Sequence, residues 1–373
     1  MHETEITPEI GPEYDVAVVG AGPAGLTAAS LCARSGLATV VFDEQPSPGG
    51  QLYRGITETP FREGSVLGAD YWQGTKLVGE FLASGAQYFA GAKVTSLGAG
   101  HELSFLVGGG MRQVRATRVL LATGARERPF PIPGATLPGV MMAGEAQAAL
   151  KASGRVPPGT LALAGSGTLL WQLARQLLNA GAPVAAILDT TPPRNRARAL
   201  PHLFGFLYSP YFGRGMGLLL AVRRKVPIVK GVHELRAEGD GKLTKVIYRN
   251  AGGESCMLPV DTLLLHQGVI PDVTLSQSAG IEHRWDDAAL CWVPVVDANG
   301  ATSLEGVSIA GDGARVMGGQ AAAWQGVLAA VEILQALKPG RRASLQKLAR
   351  TALGQFSRGR KFLDVLFRPA PDS

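Results

Sequence analysis

The sequence predicts an α/β protein in which a strand, a glycine turn, a helix and a second strand occur twice. Residues 14–19, YDVAVV, lead into GAGPAG at 20–25, a helical stretch ending at Gly36 and an apolar run ending at Asp43. From residue 160, TLALAGSGTLLWQLARQLLNAGAPVAAILDT repeats this order. An internal repeat of a βαβ unit of roughly 30 residues predicts two Rossmann-like dinucleotide-binding domains.

The remaining segments indicate how these domains are arranged. We expect a discontinuous first domain, residues 14–135 and 290–340, with the second domain inserted as residues 155–275. A proline-rich stretch, RERPFPIPG at 126–134, suits a linker between them. Residues 341–373 mix apolar and basic side chains at helical spacing, which predicts a C-terminal docking tail.

Composition excludes several classes of protein. The chain has 373 residues, a formal charge of +6 and 46% apolar residues, as in ordinary globular proteins. Its basic residues follow no nucleic-acid-binding motif, so we expect no nucleic-acid partner. The three cysteines, Cys32, Cys256 and Cys291, form no C-x-x-C, and the histidines have no metal spacing, which predicts no metal site and a reducing compartment. We expect His266 to be a satisfied core or surface residue, the alternative being that it approaches a nucleotide or the flavin.

The sequence shows no recognisable targeting signal. No uncharged apolar run of about 18 residues suggests a membrane span. The N-terminal stretch, MHETEITPEIGPEYD, is acidic and polar, unlike a signal or transit peptide. These features predict a cytoplasmic protein.

The first glycine motif has a mechanical reason at each position. Gly20 permits the tight turn, Gly22 lets backbone N–H groups reach a pyrophosphate, and Gly25 lets the helix approach the strand. A carboxylate at the end of the second strand accepts hydrogen bonds from a ribose, with Asp43 the first choice and Glu44 the second. Two strands, a helix and a terminal acid together predict a dinucleotide site.

The second glycine motif departs from this pattern. Gly165 and Gly167 are present and Asp189 ends the next strand, but Leu170 stands where a small residue is needed. Leu170 would hold the helix away from its strand or force a different turn. Arg194 follows where a phosphate ligand could lie. Three interpretations stay open: a bound nucleotide, an empty structural domain, and a working nicotinamide site, which Leu170 disfavours.

Four motifs in order carry a family resemblance over residues 14–340. They are GAGPAGLTAAS, FDEQPSPGGQLYR, LLATGARERPFPIPG and IAGDGARVMGGQAAAWQG. The chain resembles the two-dinucleotide-domain flavoproteins that include thioredoxin reductase. More narrowly, DEQPSPGGQLYR and KFLDVLFRPAP resemble the FAD-containing large (α) subunit of heteromeric dehydrogenases, such as hydrogen cyanide synthase, octopine and nopaline oxidases, and D-hydroxyproline or L-proline dehydrogenases.

The resemblance implies a set of cofactor-binding residues. An adenine nucleotide, ATP or NAD(P), is implied in the second domain. The catalytic residues are unknown and no metal is expected. The residues implied for FAD are Gly20, Gly22, Pro23, Ala24, Gly25, Asp43, Glu44, Gln45, Gly50, Gln51, Thr123, Gly124, Gly311, Asp312, Gln320 and Ala321, and those for the second nucleotide are Gly165, Gly167, Asp189 and Arg194.

The resemblance also implies an activity and partners. The chain would relay electrons through FAD, while an FAD-dependent amine-oxidase-like β subunit oxidises an imino acid, amino acid or opine. Longer relatives continue into a cysteine-rich [2Fe-2S] domain, so a cluster would come from a small ferredoxin-like subunit. The resulting hetero-oligomer is expected in the cytoplasm, with contact at the inner membrane face as a second expectation. Rival hypotheses are a stand-alone NAD(P)H-dependent flavin reductase and a non-catalytic nucleotide-binding assembly subunit.

Overall fold

The computed structural model describes residue 11 and residues 13–370. The chain opens with a βαβ unit and continues through a second helix and a group of short strands. Its elements are β1 (Glu13–Val19), α1 (Pro23–Arg34), β2 (Thr39–Phe42), α2 (Ala69–Leu82), β3 (Gln87–Phe89), β4 (Lys93–Leu97), β5 (Glu102–Val107), β6 (Gly110–Leu121) and β7 (Ala125–Glu127).

A second βαβ unit follows, with three helices inserted after its second strand. Its elements are β8 (Val140–Met142), α3 (Ala143–Ser153), β9 (Leu161–Gly165), α4 (Thr168–Asn179), β10 (Val184–Asp189), α5 (Pro193–Ala199), α6 (Leu203–Leu207), α7 (Pro210–Arg223), β11 (Ile228–Lys230), β12 (His233–Glu238), β13 (Lys245–Arg249), β14 (Ser255–Pro259) and β15 (Thr262–His266). The chain then returns to the first unit and ends in two long helices. These last elements are β16 (Val269–Pro271), α8 (Thr274–Ser278), β17 (His283–Asp286), β18 (Cys291–Pro294), β19 (Val307–Ile309), α9 (Gly319–Leu337) and α10 (Ala343–Leu366).

Two sheets with parallel central strands organise these elements. The first has the order β3-β2-β1-β6-β5-β4, with β19 also paired to β6, so both ends of the chain contribute to it. The second has the order β11-β10-β9-β15-β8 and is parallel throughout. This arrangement confirms the predicted class, an α/β fold with two dinucleotide-binding units and a C-terminal helical tail. The residue bounds given for the domains stay a prediction.

The central strands are buried on both faces. All residues of β2, TVVF, and of β9, LALAG, are buried. Strands buried on both faces carry continuous apolar runs rather than an alternating pattern. The same runs made these strands recognisable in the sequence.

Two short strands carry the chain between the sheets. β7 leads out of the first sheet and β16 leads back, and they pair antiparallel through Glu127 and Val269, Arg126 and Ile270, and Ala125 and Pro271. The two connections therefore form a ribbon at the junction of the two units.

α9 packs very closely against α1. A Cβ placed on Gly326 of α9 would lie 2.3 Å from the carbonyl oxygen of Ala24 in α1. A Cβ on Gly311, before α9, would lie 2.9 Å from the Cβ of Ala24. Small residues on both helices let their backbones approach each other.

The tail helix α10 docks on its own chain. Phe362 of α10 stacks on Phe206 of α6 with ring centroids 4.5 Å apart. The amide of Asn195 in α5 donates to the carbonyl oxygens of Leu366 and Arg368, at 3.2 and 2.8 Å. Apolar side chains of the tail, such as Phe362, are thus used for a contact within the molecule. Within the described part of the chain, no helix has both the length and the hydrophobicity of a membrane span.

Gly326→Ala should destabilise the chain, because the new methyl group would collide with the backbone of α1. We expect a loss of about 1–3 kcal/mol, the usual cost of overpacking. Gly354→Ala in α10 is the matched control, since a Cβ there meets no atom within 4 Å. That change should be neutral or stabilise by up to about 1 kcal/mol. Thermal unfolding followed by circular dichroism separates the two, and equal midpoints for both variants would contradict the close contact.

Candidate functional site

Two glycines of the first turn lie too close to the backbone to carry a side chain. Gly20 has φ of 103°, and a Cβ there would lie 2.4 Å from the carbonyl oxygen of Ala122. A Cβ on Gly25 would lie 1.9 Å from the carbonyl oxygen of Gly20. Side chains at these positions would push β6 and α1 away from β1.

Gly22 has the opposite environment. A Cβ on Gly22 would meet no atom within 4 Å, and no side chain caps the helix that follows it. Pro23 occupies the first turn without an N–H to satisfy, whereas the N–H groups of Ala24 and Gly25 are left without an intrahelical acceptor. The turn therefore presents donors and the positive end of the helix dipole to open space, which is how proteins bind a pyrophosphate.

The loop after β2 crosses this turn. Gly50 has φ of 59°, and a Cβ there would lie 2.7 Å from the Cα of Gly22. A Cβ on Gly319, in the first turn of α9, would lie 2.0 Å from the Cδ2 of Leu52. Gln51 is exposed between these contacts. Residues 49–55, which we call the crossing loop, thus connect the N-termini of α1 and α9.

The two acids after β2 play different parts. The Asp43 carboxylate accepts hydrogen bonds from the backbone N–H groups of Ala21 and of Gln45, and the latter is 2.7 Å long. Burial raises the pKa of Asp43, while these two N–H groups act in the opposite direction. Glu44 is exposed. Asp43 therefore holds the glycine turn, whereas Glu44 keeps an exposed carboxylate.

The N-terminus of α9 resembles that of α1. The Oδ1 atom of Asp312 accepts hydrogen bonds from the N–H groups of Met317, at 2.7 Å, and of Gly318, at 3.0 Å. Gly318 has φ of 88° and no atom within 4 Å of a Cβ, and no side chain caps the helix. Ala321 is fully buried, and the Gln320 amide donates to the side chain of Gln73 at 2.8 Å. Asp312 thus fixes the turn before α9, and this turn leaves the first backbone N–H groups of α9 free as donors.

The Asp312 carboxyl has one oxygen left over. Both hydrogen bonds to this carboxyl from the described residues are accepted by Oδ1, which leaves Oδ2 uncommitted. Burial raises the pKa of Asp312, and the backbone N–H groups and the Arg360 guanidinium act in the opposite direction. A ligand hydroxyl could donate to Oδ2, as a carboxylate oxygen with free lone pairs invites.

Thr123 and Gly124 tie the end of β6 to the returning chain. The Thr123 hydroxyl donates to the carbonyl oxygen of Asp272 at 3.0 Å, and the Asp272 N–H donates to the carbonyl oxygen of Gly124 at 3.0 Å. Gly124 has φ of 72° and open space around a Cβ. β6 lies between β1 and β19, so these residues fall at the carboxyl edge where ligands of such sheets bind.

The structure brings together the residues predicted for FAD from four separate segments. The crossing loop touches Gly22 and Gly319, and Gly311 touches Ala24. Two uncapped helix N-termini, two open glycine positions and one free carboxylate oxygen thus belong to segments that contact one another, and we call the region that they border the cleft. This set of donors and acceptors fits a dinucleotide with a pyrophosphate at one helix and a polar ring edge at the other.

The second glycine turn has a different shape. Gly22 has φ of −78°, whereas Gly167 has φ of 130°. A Cβ on Gly167 would lie 2.9 Å from Nε2 of His266, and one on Gly165 would lie 1.7 Å from the His266 carbonyl oxygen. The side-chain direction that is open at Gly22 is therefore occupied by an imidazole at Gly167, while a cavity of about 150 Å³ still borders Gly167, Thr168 and Leu169.

Leu170 explains part of this difference. It occupies the position of Gly25 and its side chain is fully buried. A Cβ at Gly25 would already collide with the turn, so a leucine requires α4 to stand farther from its turn than α1 does from Gly20. The different turn that Leu170 predicts is present in the backbone.

Asp189 and Arg194 do not pair with each other in the structure. Asp189 is buried, and its Oδ1 accepts the N–H of Thr191 at 3.0 Å, so its carboxylate holds a turn as Asp43 does. Its other oxygen lies 3.8 Å from the Arg196 guanidinium. Arg194 is exposed on α5. Arg196, rather than Arg194, is the arginine paired with this acid.

The structure contains two buried polar clusters, and the sequence predicted only one member, a satisfied His266, but neither its partner nor the second cluster. Nδ1 of His266 bonds a carboxylate oxygen of Glu127, whose other oxygen accepts the Gly144 N–H at 2.8 Å. Lys151 is buried in α3 among glutamine side chains. Neither cluster has a local sequence signal, because its residues come from segments far apart in the chain. Among the described residues no group of three or more His, Cys, Asp or Glu is placed to hold a metal.

Comparison with known proteins identifies the class. Residues 14–326 match the pyridine nucleotide-disulphide oxidoreductase family. The chain belongs to this family, and the fold and family support FAD binding. The same fold is seen in thioredoxin reductase of T. acidophilum, which superimposes with a TM-score of 0.63 at 22% identity over 87% of this chain and 99% of that one.

Closer relatives are subunits of larger enzymes. An opine oxidase subunit from Agrobacterium tumefaciens (strain Ach5) is 43% identical over 99% of this chain and 75% of its own length. Hydrogen cyanide synthase subunit HcnB of Pseudomonas aeruginosa is 33% identical over 85% of this chain and 70% of its own length. L-proline dehydrogenase from P. horikoshii has the same fold, with a TM-score of 0.66 at 20% identity over 91% of this chain and 59% of that chain. These findings confirm the resemblance to the large subunits of heteromeric dehydrogenases.

Gly22→Val should abolish FAD binding without unfolding the chain. A Cβ at this position meets no atom within 4 Å, so the fold tolerates the side chain, but it fills the space over the α1 donors. We expect a loss of at least about 2 kcal/mol of FAD binding, the scale of a hydrogen bond to a charged group. Gly79→Val on α2, also in open space, is the control. Flavin fluorescence titration measures both, and normal FAD affinity in Gly22→Val would contradict the assignment.

Proposed function

We propose that this chain is the FAD-carrying subunit of a heteromeric dehydrogenase and relays electrons from a substrate-oxidising partner. The observation that carries the proposal is the cleft with two uncapped helix N-termini, in a chain whose sequence has no C-x-x-C pair. FAD would supply the electron-carrying chemistry, and the protein its placement and electrostatics. Such a relay requires no general base on this chain.

Each element of the cleft has a part in this proposal. The N-terminus of α1 would bind the pyrophosphate, Glu44 would bind the adenosine ribose, and Oδ2 of Asp312 would accept from a ribityl hydroxyl. The N-terminus of α9, with Gln320 and Ala321 in its first turn, would hold the flavin pyrimidine, since its dipole favours negative charge. Gln51, Thr123 and Gly124 would help to keep the ring in place.

We propose an imino acid, amino acid or opine as the electron donor of the whole enzyme. Support comes from relatives that are subunits of opine oxidase and of hydrogen cyanide synthase, and from the fold shared with L-proline dehydrogenase. Oxidation of the substrate would take place on an FAD-dependent partner subunit of the amine-oxidase type. A small [2Fe-2S] subunit is a further candidate partner for passing electrons onward.

The stand-alone NAD(P)H-dependent reductase is the weaker candidate. Hydride delivery needs a nicotinamide dinucleotide whose pyrophosphate rests on the second glycine turn. The imidazole of His266 lies against Gly167 there, and Leu170 sets α4 back. An adenine nucleotide held along the exposed arginines of α5 for structural reasons fits these observations better than a hydride donor.

The relay is tested by reconstitution under anaerobic conditions. The chain is purified alone and together with the products of its neighbouring genes, and flavin absorbance is followed on adding octopine, nopaline, L-proline or D-hydroxyproline. We expect none of these compounds to bleach the isolated chain, and one of them to bleach its FAD when the partner is present. Bleaching of the isolated chain by an amino-acid substrate would contradict the division of labour.

Asp312→Ala separates the relay from the assembly hypothesis. Loss of the carboxylate removes the ribityl acceptor and loosens the turn before α9. We expect substrate-dependent electron transfer to fall at least about tenfold, equivalent to one lost hydrogen bond to a charged group, while the complex still forms. Asp240→Ala, at an exposed site, is the control. If size-exclusion chromatography showed lost assembly with unchanged turnover per intact complex, the assembly hypothesis would replace the relay.

A further inference from the structure

Lys151 is a buried cation without a carboxylate partner. It lies in α3 with 1% of its surface exposed. Its ammonium donates to the backbone carbonyl of Gln51 at 3.0 Å and to the side-chain carbonyl of Gln147 at 2.9 Å. Both acceptors are neutral, and no carboxylate among the described residues bonds to it. Burial of an unpaired ion is costly, so a negative charge placed near this position would stabilise the protonated form of Lys151.

Its surroundings hold the ammonium in place. The amide of Gln147 donates to the Gln176 side chain at 2.9 Å, and the amide of Gln176 donates to the carbonyl oxygen of Leu67 at 3.0 Å. Both glutamines are buried. The chain of hydrogen bonds therefore joins α3, α4 and the segment before α2, and it leaves Lys151 little freedom to turn toward solvent.

The ammonium is directed at the crossing loop. Gln51 lies between Gly50, which touches Gly22, and Leu52, which touches Gly319. A second contact supports the same approach, because a Cβ on Gly55 would lie 3.1 Å from the Cα of Ala152 in α3. Lys151 thus bonds directly to the backbone of the crossing loop, which connects the two uncapped helix N-termini.

We propose that Lys151 is a positioning residue whose ammonium, acting through the Gln51 peptide, stabilises the negative charge that FAD gains on reduction. The inference rests on the proposed function, since it requires FAD in the cleft. The Lys151 side chain holds the Gln51 carbonyl toward α3 and, when protonated, adds a positive charge behind it. Because Lys151 is buried, water screens this attraction only weakly.

The lowered pKa of Lys151 predicts that its effect on the FAD midpoint potential depends on pH. Burial, and secondly the nearby Arg54 guanidinium, lower the pKa of Lys151 to about 7. The groups that bond it from the crossing loop and α3, and Gln176 behind them on α4, are neutral, so Arg54 is the charged group that acts on it. Added negative charge in the cleft would favour the protonated ammonium. Reduction should then draw a proton to Nζ from about neutral pH upward.

The test compares FAD midpoint potentials of the holoprotein by dye-coupled spectroelectrochemistry. Lys151→Met removes the charge, and Lys151→Gln removes it while keeping a donor. We expect both variants to retain FAD. In each of them, the affinity for reduced FAD relative to that for oxidised FAD should be about tenfold lower than in the unaltered chain, the scale of one weakly screened charge pair. The difference in midpoint potential between the unaltered chain and either variant should be largest below neutral pH. The potential of the unaltered chain should fall more steeply above neutral pH than that of either variant.

Two further variants separate charge from packing. Gln176→Met breaks the outer end of the hydrogen-bond chain but leaves both acceptors of the ammonium, and Lys76→Met removes an exposed charge on α2. Both should leave the potential near that of the unaltered chain. An unchanged potential in FAD-loaded Lys151→Met, or an equal shift in Gln176→Met, would overturn the role of Lys151. Failure of the unaltered chain to bind FAD would instead overturn the proposed function.

Discussion

The close approach of α1 and α9 is the constraint on which the candidate site depends. Gly326 meets the backbone of Ala24, and Gly311 meets its side chain, at distances that leave no space for larger residues. These contacts bring together helices from opposite ends of the chain, and β19 pairs beside β6. Two helix N-termini, each without a side-chain cap, then face one cleft. Neither end alone would provide donors for both ends of a flavin dinucleotide.

The two glycine turns show how much one residue changes. Both begin with a glycine at positive φ at the end of an apolar strand, Gly20 and Gly165. The third small residue is kept in the first turn and replaced by Leu170 in the second. The second turn has a different backbone, and the His266 imidazole fills the side-chain direction of Gly167. A shared fold therefore accommodates one turn that is open in this direction and one that is filled.

Features that depend on local backbone geometry could be predicted from the sequence alone. Apolar strands, helix ends and the glycines of the first turn follow from short-range sterics, so two α/β units were recognisable. The different roles of Asp43 and Glu44 could not be predicted, because they depend on the direction of each side chain at the end of β2. The pair formed by His266 and Glu127 and the Lys151 cluster depend on contacts between distant segments. No local pattern marks such contacts, since a lone histidine or lysine in a sequence looks like any other.

The contrast between the open and the filled turn is tested most directly by the response of the isolated chain to a hydride donor. The FAD-loaded chain, without partners, would be mixed anaerobically with NADH and with NADPH, and flavin absorbance followed by stopped flow. We predict that neither compound bleaches the flavin on the time scale of turnover. Rapid bleaching by either would contradict this view of the second turn, because it would require a nicotinamide dinucleotide to bind productively despite His266 and Leu170.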